Sequence, residues 1–570
     1  MAEPSVAADN LAWADALIAG LAAGGVTHAV LAPGSRSTPL ALALDRQPAI
    51  DLTVLPDERC AAFFALGLSR DSGRPALFIC TSGTAAAHAF PAVLEAASDG
   101  VPLIVVSADR PAELQHTGAN QTTDQTDLFG RHVRLAVTLP APEPDADANV
   151  PRSTGHRAAE AACWPLPGPV HLNVALREPL VPTTDSAAPA PVVDNGYQCP
   201  VCQPDTRAVE SLAALIDGRP GLIVCGRGPR SRRWPGAVAR LARRLGAPIL
   251  ADPLSGLRWG PHDRERVLTA FDLFLRAPAR PAARPDWVLQ FGATPVSSAL
   301  QRYLAKCGAR RFLVGTGGDW QDPSRSAANR LLADEVPLAE ALVSLAPAAA
   351  DGDWGEAWFE AESRGADLAA EPGLRPPEAD IVTALESTLS PGALLFVGNS
   401  LPIRAVDLFA RGHDEPLSIH GNRGLSGIDG NVSTALGLGY ASGRRPVALL
   451  GDLTLYHDMN GLLATRDCPA DIVLLDNGGG GIFGLLPQSG QPAFERLWLT
   501  PTDLDPARIA ALYGLGYQRL ATGDALAAAL AEGPADEGAS RLFHIPIDRA
   551  VSTRRFTDLW RAAGATEDRP

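Results

Sequence analysis

Short apolar runs of strand length recur along the chain: HAVLAP, ALFICT and PLIVVSA early, GLIVCG and DWVLQFG midway, LLFVGNS, VALLGD and DIVLLDN late. Amphipathic stretches of helical spacing lie between them. Runs without polar alternation belong to strands covered on both faces, so the pattern predicts α/β architecture with doubly wound parallel sheets. Two stretches rich in Pro and small residues, Pro179–Gly196 and Ala370–Asp380, mark boundaries and divide the chain into regions 1–185, 196–350 and 375–570. Strand ends near Pro33, Thr81 and Ala108 recur at similar intervals near Gly398, Gly451 and Asp476, which suggests that the first and third regions share one topology. In such sheets ligands bind beyond the carboxyl ends of the strands.

Composition changes this picture little. At 46% hydrophobic and 20% charged, the chain is an ordinary globular protein. A formal charge of −15 argues against nucleic acid or an anionic membrane as partner, since phosphate binding needs clustered cations. The start MAEPSVAADN lacks a basic, then apolar, secretory pattern, and the expectation is a cytoplasmic protein without membrane insertion. Cys199 and Cys202 form a CxxC without a second ligand pair nearby, and are read as incidental. Lys306 is the one lysine, in the unremarkable segment RYLAKCGARR, which disfavours Schiff-base chemistry.

Three constellations carry candidate chemistry. In VALLGDLTLYHDMNGLL and DIVLLDNGGGGIFGLLPQ, Asp452 and Asn477 end neighbouring strands 25 residues apart, and glycines follow. Two oxygen donors at adjacent strand tips suit a hard cation such as Mg²⁺ that completes its shell from a diphosphate, and the glycines let backbone approach phosphate; a flexible turn is the plainer alternative. In LPDERCAAFFALGLSR, Glu58 opens an amphipathic helix, either as a sequestered catalytic carboxylate or as a residue favoured by the helix dipole. Arg36 in APGSRSTPL, Arg110 in SADRPAEL, Arg404 in GNSLPIR and Arg423 in NRGLSGIDG follow apolar strands in turns. They are two-pronged carboxylate binders or merely solvated cations.

These stretches resemble the thiamine-diphosphate (ThDP) enzymes, whose signature is Gly-Asp-x followed by Asn. Here Leu453 stands at the usual third Gly and Asp476-Asn477 at the usual Asn-Asn, a variant similar to the menaquinone-pathway branch. With GANQ (Gly118 to Gln121), the motifs resemble the 2-succinyl-5-enolpyruvyl-6-hydroxy-3-cyclohexene-1-carboxylate synthase family. The resemblance implies three doubly wound domains binding in turn the pyrimidine, no assigned ligand, and the diphosphate. It implies decarboxylation of 2-oxoglutarate and 1,4-addition of the succinyl carbanion to isochorismate, with ThDP and Mg²⁺, or Mn²⁺, as cofactors. Glu58 is then the activator of the pyrimidine. Asp452, Asn477 and the Gly479 carbonyl hold the metal, while Ser400, Ile428, Ile482 and Phe483 contact the cofactor. Ser35, Arg36, Arg110, Asn120, Gln121, Ser400, Arg404, Arg423, Phe483 and Leu486 line the substrates. A homodimer or dimer of dimers, with each site shared between chains, is also implied. In the middle region ATPVSSALQR offers only Arg302 where some members carry a Lys-Arg pair. The alternatives are another ThDP carboligase or decarboxylase, such as an acetolactate synthase-like enzyme with flavin in its middle domain, and a non-catalytic ligand-binding protein. A nicotinamide dehydrogenase ranks last, since NGGGG is no clean dinucleotide fingerprint.

Overall fold

A computed structural model describes residues 6–182, 200–228, 231–276, 281, 283–327, 329–350 and 354–564. Most of the expected Pro179–Gly196 linker, and Cys199 of the cysteine pair, lie outside the described residues. The apolar runs become three six-stranded sheets, and their strands pair in parallel throughout. The first contains β1 (His28–Leu31), β2 (Asp51–Val54), β3 (Ala76–Cys80), β4 (Leu103–Asp109), β5 (Leu135–Leu139) and β6 (Val170–Ala175), in the order β2-β1-β3-β4-β6-β5. The second contains β7 (Gly221–Cys225), β8 (Ile249–Ala251), β9 (Val267–Leu268), β10 (Trp287–Phe291), β11 (Arg310–Val314) and β12 (Asn329–Leu331), in the order β12-β11-β10-β7-β8-β9. The third contains β13 (Leu394–Val397), β14 (Ser418–His420), β15 (Pro446–Gly451), β16 (Asp471–Asp476), β17 (Gly516–Arg519) and β18 (Arg541–Pro546), in the order β14-β13-β15-β16-β18-β17.

Counted from its own first strand, the third sheet repeats the order 2-1-3-4-6-5 of the first. The spacing similarity in the sequence therefore reflects a shared topology. The second sheet reads 3-2-1-4-5-6 from its other edge, a doubly wound order of a different kind.

Packing divides the chain into two units. One comprises Met1–Pro200, Asn422–Arg445 and His457–Pro469; the other comprises Val201–Gly421, Pro446–Tyr456 and Ala470–Pro570. Two segments that connect strands of the third sheet thus pack with the first sheet's unit.

In the first unit the helix Val6–Ala23 is long and apolar enough to cross a membrane, yet 61% of it is buried, with Leu11, Leu17, Ile18 and Leu21 in the core. The helix Glu58–Ser72 is capped by Asp57, whose Oδ1 accepts the Cys60 N–H at 3.1 Å, and ends at Gly73 in the left-handed region. It lies against the helix Asn431–Ser442 so closely that a Cβ at Gly67 would sit 2.3 Å from the Thr434 carbonyl oxygen. A Cβ at Gly437 would sit 2.1 Å from that of Phe64. In the second unit, separate apolar clusters flank β10 and its neighbours and β15 with β16. Between their helices the fully buried Arg258 donates to Asp407 Oδ1 at 2.6 Å and to the Asp407 and Ala410 carbonyls at 2.9 and 3.0 Å.

Candidate active site

Strand order brings the loops after β1, β3 and β4 side by side at one edge of the first sheet. Gly34 permits the first two to touch, because a Cβ there would meet Thr81 Cβ at 2.3 Å. Ser35 is exposed at the tip, whereas Arg36 turns inward and is 4% exposed. Its guanidinium donates to the Leu176 carbonyl at 2.8 Å and to Glu178 Oε1 at 2.7 Å. Arg36 therefore serves the fold as well as any ligand, a use its turn gave no hint of. Arg110, after β4, donates to Ser82 Oγ, and burial together with the charge of Arg36 lowers its pKa. Two cations facing one loop edge favour an anion there. Gln121, at φ +54°, donates from Nε2 to the Ser82 carbonyl at 3.0 Å, and its own carbonyl accepts the Ser82 hydroxyl at 3.0 Å. Asn120 beside it is exposed.

Glu58 opens its helix at this same edge, near enough to Cys80 at the end of β3 that, after burial, its charge helps to raise the Cys80 pKa. It is half-buried in the single chain, so the sequestration expected of it is incomplete there. Ile428 and Arg423 belong to the same unit, on a loop anchored by the buried Glu95. Its carboxylate accepts the Gly424 N–H at 2.8 Å and the Leu425 N–H at 2.7 Å. Phe63, Phe90, Leu94, Leu425 and Asp429 line a cavity of about 310 Å³ beside that loop. Glu95 was not singled out from sequence: it lies mid-helix, 329 residues from its partner.

In the second unit β15 and β16 are neighbours, and their ends present Asp452 and Asn477. Asp452 Oδ2 accepts the Gly479 N–H at 2.5 Å. Gly479 has φ +125°, and a Cβ there would lie 2.1 Å from the Leu499 carbonyl oxygen, so only glycine fits. Asn477 Oδ1 is buried without a hydrogen-bond partner. Burial and the neighbouring Asp476 raise the Asp452 pKa, while a hydrogen bond from His544 keeps Asp476 low. His544 Nε2 donates to Asp476 Oδ2 at 2.9 Å, which leaves Nδ1 to accept from Tyr517 at 2.8 Å. The Asp452 carboxylate and the orphaned Asn477 amide oxygen form an oxygen-only, negatively charged donor pair, which fits a hard divalent cation. A cavity of about 170 Å³ adjoins Asp452, Asp476 and Gly478 under the segment Pro501–Leu504. Ile482 packs against the third sheet's core, and Phe483 and Leu486 follow half-buried on the same short turn. Sequence reading missed His544 and Tyr517, whose signal is only that Asp476 stands where the motif has Asn.

Ser400 begins the helix Leu401–Phe409 at φ +73°. Arg404 donates to the Ser400 carbonyl at 2.7 Å and lines a cavity of about 40 Å³ with Asp272, Arg276, Ser297, Asp407 and Trp560. Burial lowers its pKa, against the opposing pull of Asp272 and Asp407. Glu58, Ser35, Arg36, Arg110, Asn120, Gln121, Arg423 and Ile428 thus gather in one unit. Ser400, Arg404, Asp452, Asn477, Gly479, Ile482, Phe483 and Leu486 gather in the other.

Comparison with known proteins sharpens these arrangements. Residues 12–128 match the family described as thiamine pyrophosphate enzyme, N-terminal TPP binding domain, and residues 201–397 match the middle domain of thiamine pyrophosphate enzymes. The chain is 42% identical over 524 residues to the 2-succinyl-5-enolpyruvyl-6-hydroxy-3-cyclohexene-1-carboxylate synthase of Dechloromonas aromatica, covering 91% of this chain and 96% of that one. It is 45% identical over 522 residues to the enzyme of the same name from Geobacillus kaustophilus, covering 88% and 89%. The crystal structure of benzoylformate decarboxylase from Polynucleobacter necessarius superposes with a TM-score of 0.70 at 21% identity, covering 94% and 98%, and shares the fold.

Proposed function

The chain belongs to the 2-succinyl-5-enolpyruvyl-6-hydroxy-3-cyclohexene-1-carboxylate synthase family of ThDP enzymes, and from that premise we propose that it decarboxylates 2-oxoglutarate and adds the succinyl unit to isochorismate in a 1,4 sense, in menaquinone biosynthesis. The observation that carries the reading is the pairing of this identity with the buried, partnerless Asn477 Oδ1 beside Asp452.

ThDP, when bound, supplies a nucleophilic carbon and an electron sink for loss of CO₂. In this reading Glu58 holds a proton at the pyrimidine N1′. Asp452, Asn477 and the Gly479 carbonyl bind Mg²⁺, or Mn²⁺, and through it the diphosphate. Ser400, Ile428, Ile482 and Phe483 support the cofactor. Arg36, Arg110, Arg404 and Arg423, with Ser35, Asn120, Gln121 and Leu486, bind the substrates' carboxylates and hydroxyls and orient them. The lowered pKa of Arg110 supports anion binding, because after burial the like charge of Arg36 contributes to it and an incoming carboxylate would offset that charge. Regions 1–185, 196–350 and 375–570 act as pyrimidine-binding, middle and diphosphate-binding domains. Two chains form a dimer, alone or paired again, and complete each site between them. Half-burial of Glu58 supports this, since a second chain would finish its sequestration. Burial of Val6–Ala23 supports a core helix rather than a membrane span, in keeping with the cytoplasmic location proposed.

Incubation with ThDP, Mg²⁺, 2-oxoglutarate and isochorismate, followed by mass measurement, is expected to give the adduct with loss of one CO₂. No adduct, together with turnover of pyruvate alone, would replace this reading with an acetolactate synthase-like one.

A further inference from the structure

The four residues His457–Asn460 grip the first turn of the Glu58 helix from three directions. The His457 carbonyl accepts from Arg59 Nη2 at 2.7 Å, and Asn460 Nδ2 donates to Asp57 Oδ2 at 2.9 Å. Between them Asp458, wholly buried, accepts the Cys60 thiol at 3.4 Å. Its other contacts fix it in turn: the Ser433 N–H donates to Oδ2 at 2.7 Å and the Ser433 hydroxyl to Oδ1 at 3.1 Å. Residues 57, 59 and 60 are thus each held, and the residue they bracket is Glu58. All of these groups lie within one packed unit.

A carboxylate that must meet one ring nitrogen is sensitive to small displacements, and the first turn of a helix is where fraying is easiest. Local capping accounts for only part of the hold: Asp57 Oδ1 caps the helix, while its Oδ2 is turned to Asn460. A carboxylate enclosed like that of Asp458 is costly unless its bonds are made, and its three donors come from two helices. We propose that His457, Asp458 and Asn460 form a clasp that sets the aim of Glu58, making Asp458 and Asn460 positioning residues for cofactor activation. This rests on Glu58 being the activator.

The test follows exchange of the C2 hydrogen of bound ThDP into D₂O in the holoenzyme, with ThDP affinity measured alongside. Asn460 is exposed, and the double variant Arg59→Ala/Asn460→Ala removes two surface contacts without opening the core. Exchange is expected to slow roughly 10- to 100-fold while ThDP affinity stays within about threefold. Asn460→Asp, which sets a carboxylate against Asp57, should slow it more than Asn460→Ala. Asp458→Asn should behave likewise, with circular dichroism to establish that it folds. Glu58→Gln separates the two ideas. If it abolishes exchange while the clasp variants exchange within about twofold of wild type, the clasp is refuted and the activator stands. Equal loss of affinity and exchange in the clasp variants also overturns the clasp. Normal exchange in Glu58→Gln overturns the activator and the clasp with it.

Discussion

Asn477 and Asp452 illustrate how far a single side chain constrains chemistry. A buried amide oxygen without a donor is unfavourable by about 1–3 kcal/mol, so a cation there satisfies a group the fold leaves unsatisfied. Asn477→Ala and Asp452→Ala should each weaken Mg²⁺-dependent ThDP binding by roughly 100-fold, about 2.7 kcal/mol, read by calorimetric titration. Unchanged affinity in both would remove them from the metal site. Arg404 is proposed to bind a substrate instead. Its replacement by Ala should raise the apparent KM for one of the two anionic substrates by ~10- to 10³-fold, with ThDP affinity unaltered, given ~1.5–3 kcal/mol for a charged hydrogen bond. Steady-state kinetics with each substrate varied in turn would decide this.

At the scale of elements, the strands and their parallel pairing were the legible part. Runs such as ALFICT and DIVLLDN hold four or five consecutive apolar residues with no polar alternation, so burial on both faces followed directly, and spacing exposed the shared topology of the outer sheets. The Asp452–Asn477 pair was legible because both residues end neighbouring strands, where chemistry collects. Glu95, Asp458 and His544 were not, because each acts on a partner outside its own motif, at Leu425, Cys60 and Asp476, and none carries a local signature. Nor did the turn around Arg36 foretell that its guanidinium binds Leu176 and Glu178. The helix pair Glu58–Ser72 and Asn431–Ser442 gives the test at this scale. Gly67→Val or Gly437→Val puts methyl groups where backbone already lies, and should destabilise the first unit by about 3 kcal/mol or more, lowering its melting temperature or its soluble yield. A melting temperature within a degree or so of wild type would contradict the close approach.

For the whole molecule, the proposed sharing of sites predicts complementation. Glu58→Gln and Asp452→Ala homodimers should each be nearly inactive. Random reassembly of equal amounts should recover roughly a quarter of wild-type activity, since about half the dimers are mixed and each has one intact site. Mixed dimers that form, by tag pull-down, but stay at baseline would place both residues in one chain's site. The division of the chain into packed units bears on its ancestry as well. Three sheets look like three modules, and the outer two could pass for tandem copies free to be traded between genes. Yet Asn422–Arg445 and His457–Pro469 leave the third sheet's connections to complete the first sheet's unit. A recombination event that swapped either outer sheet alone would separate Gly437 from Gly67 and Asp458 from Cys60. The two are heritable only as a matched pair, whereas the middle sheet, β7 to β12, lies in one continuous stretch of coding sequence from Gly221 to Leu331.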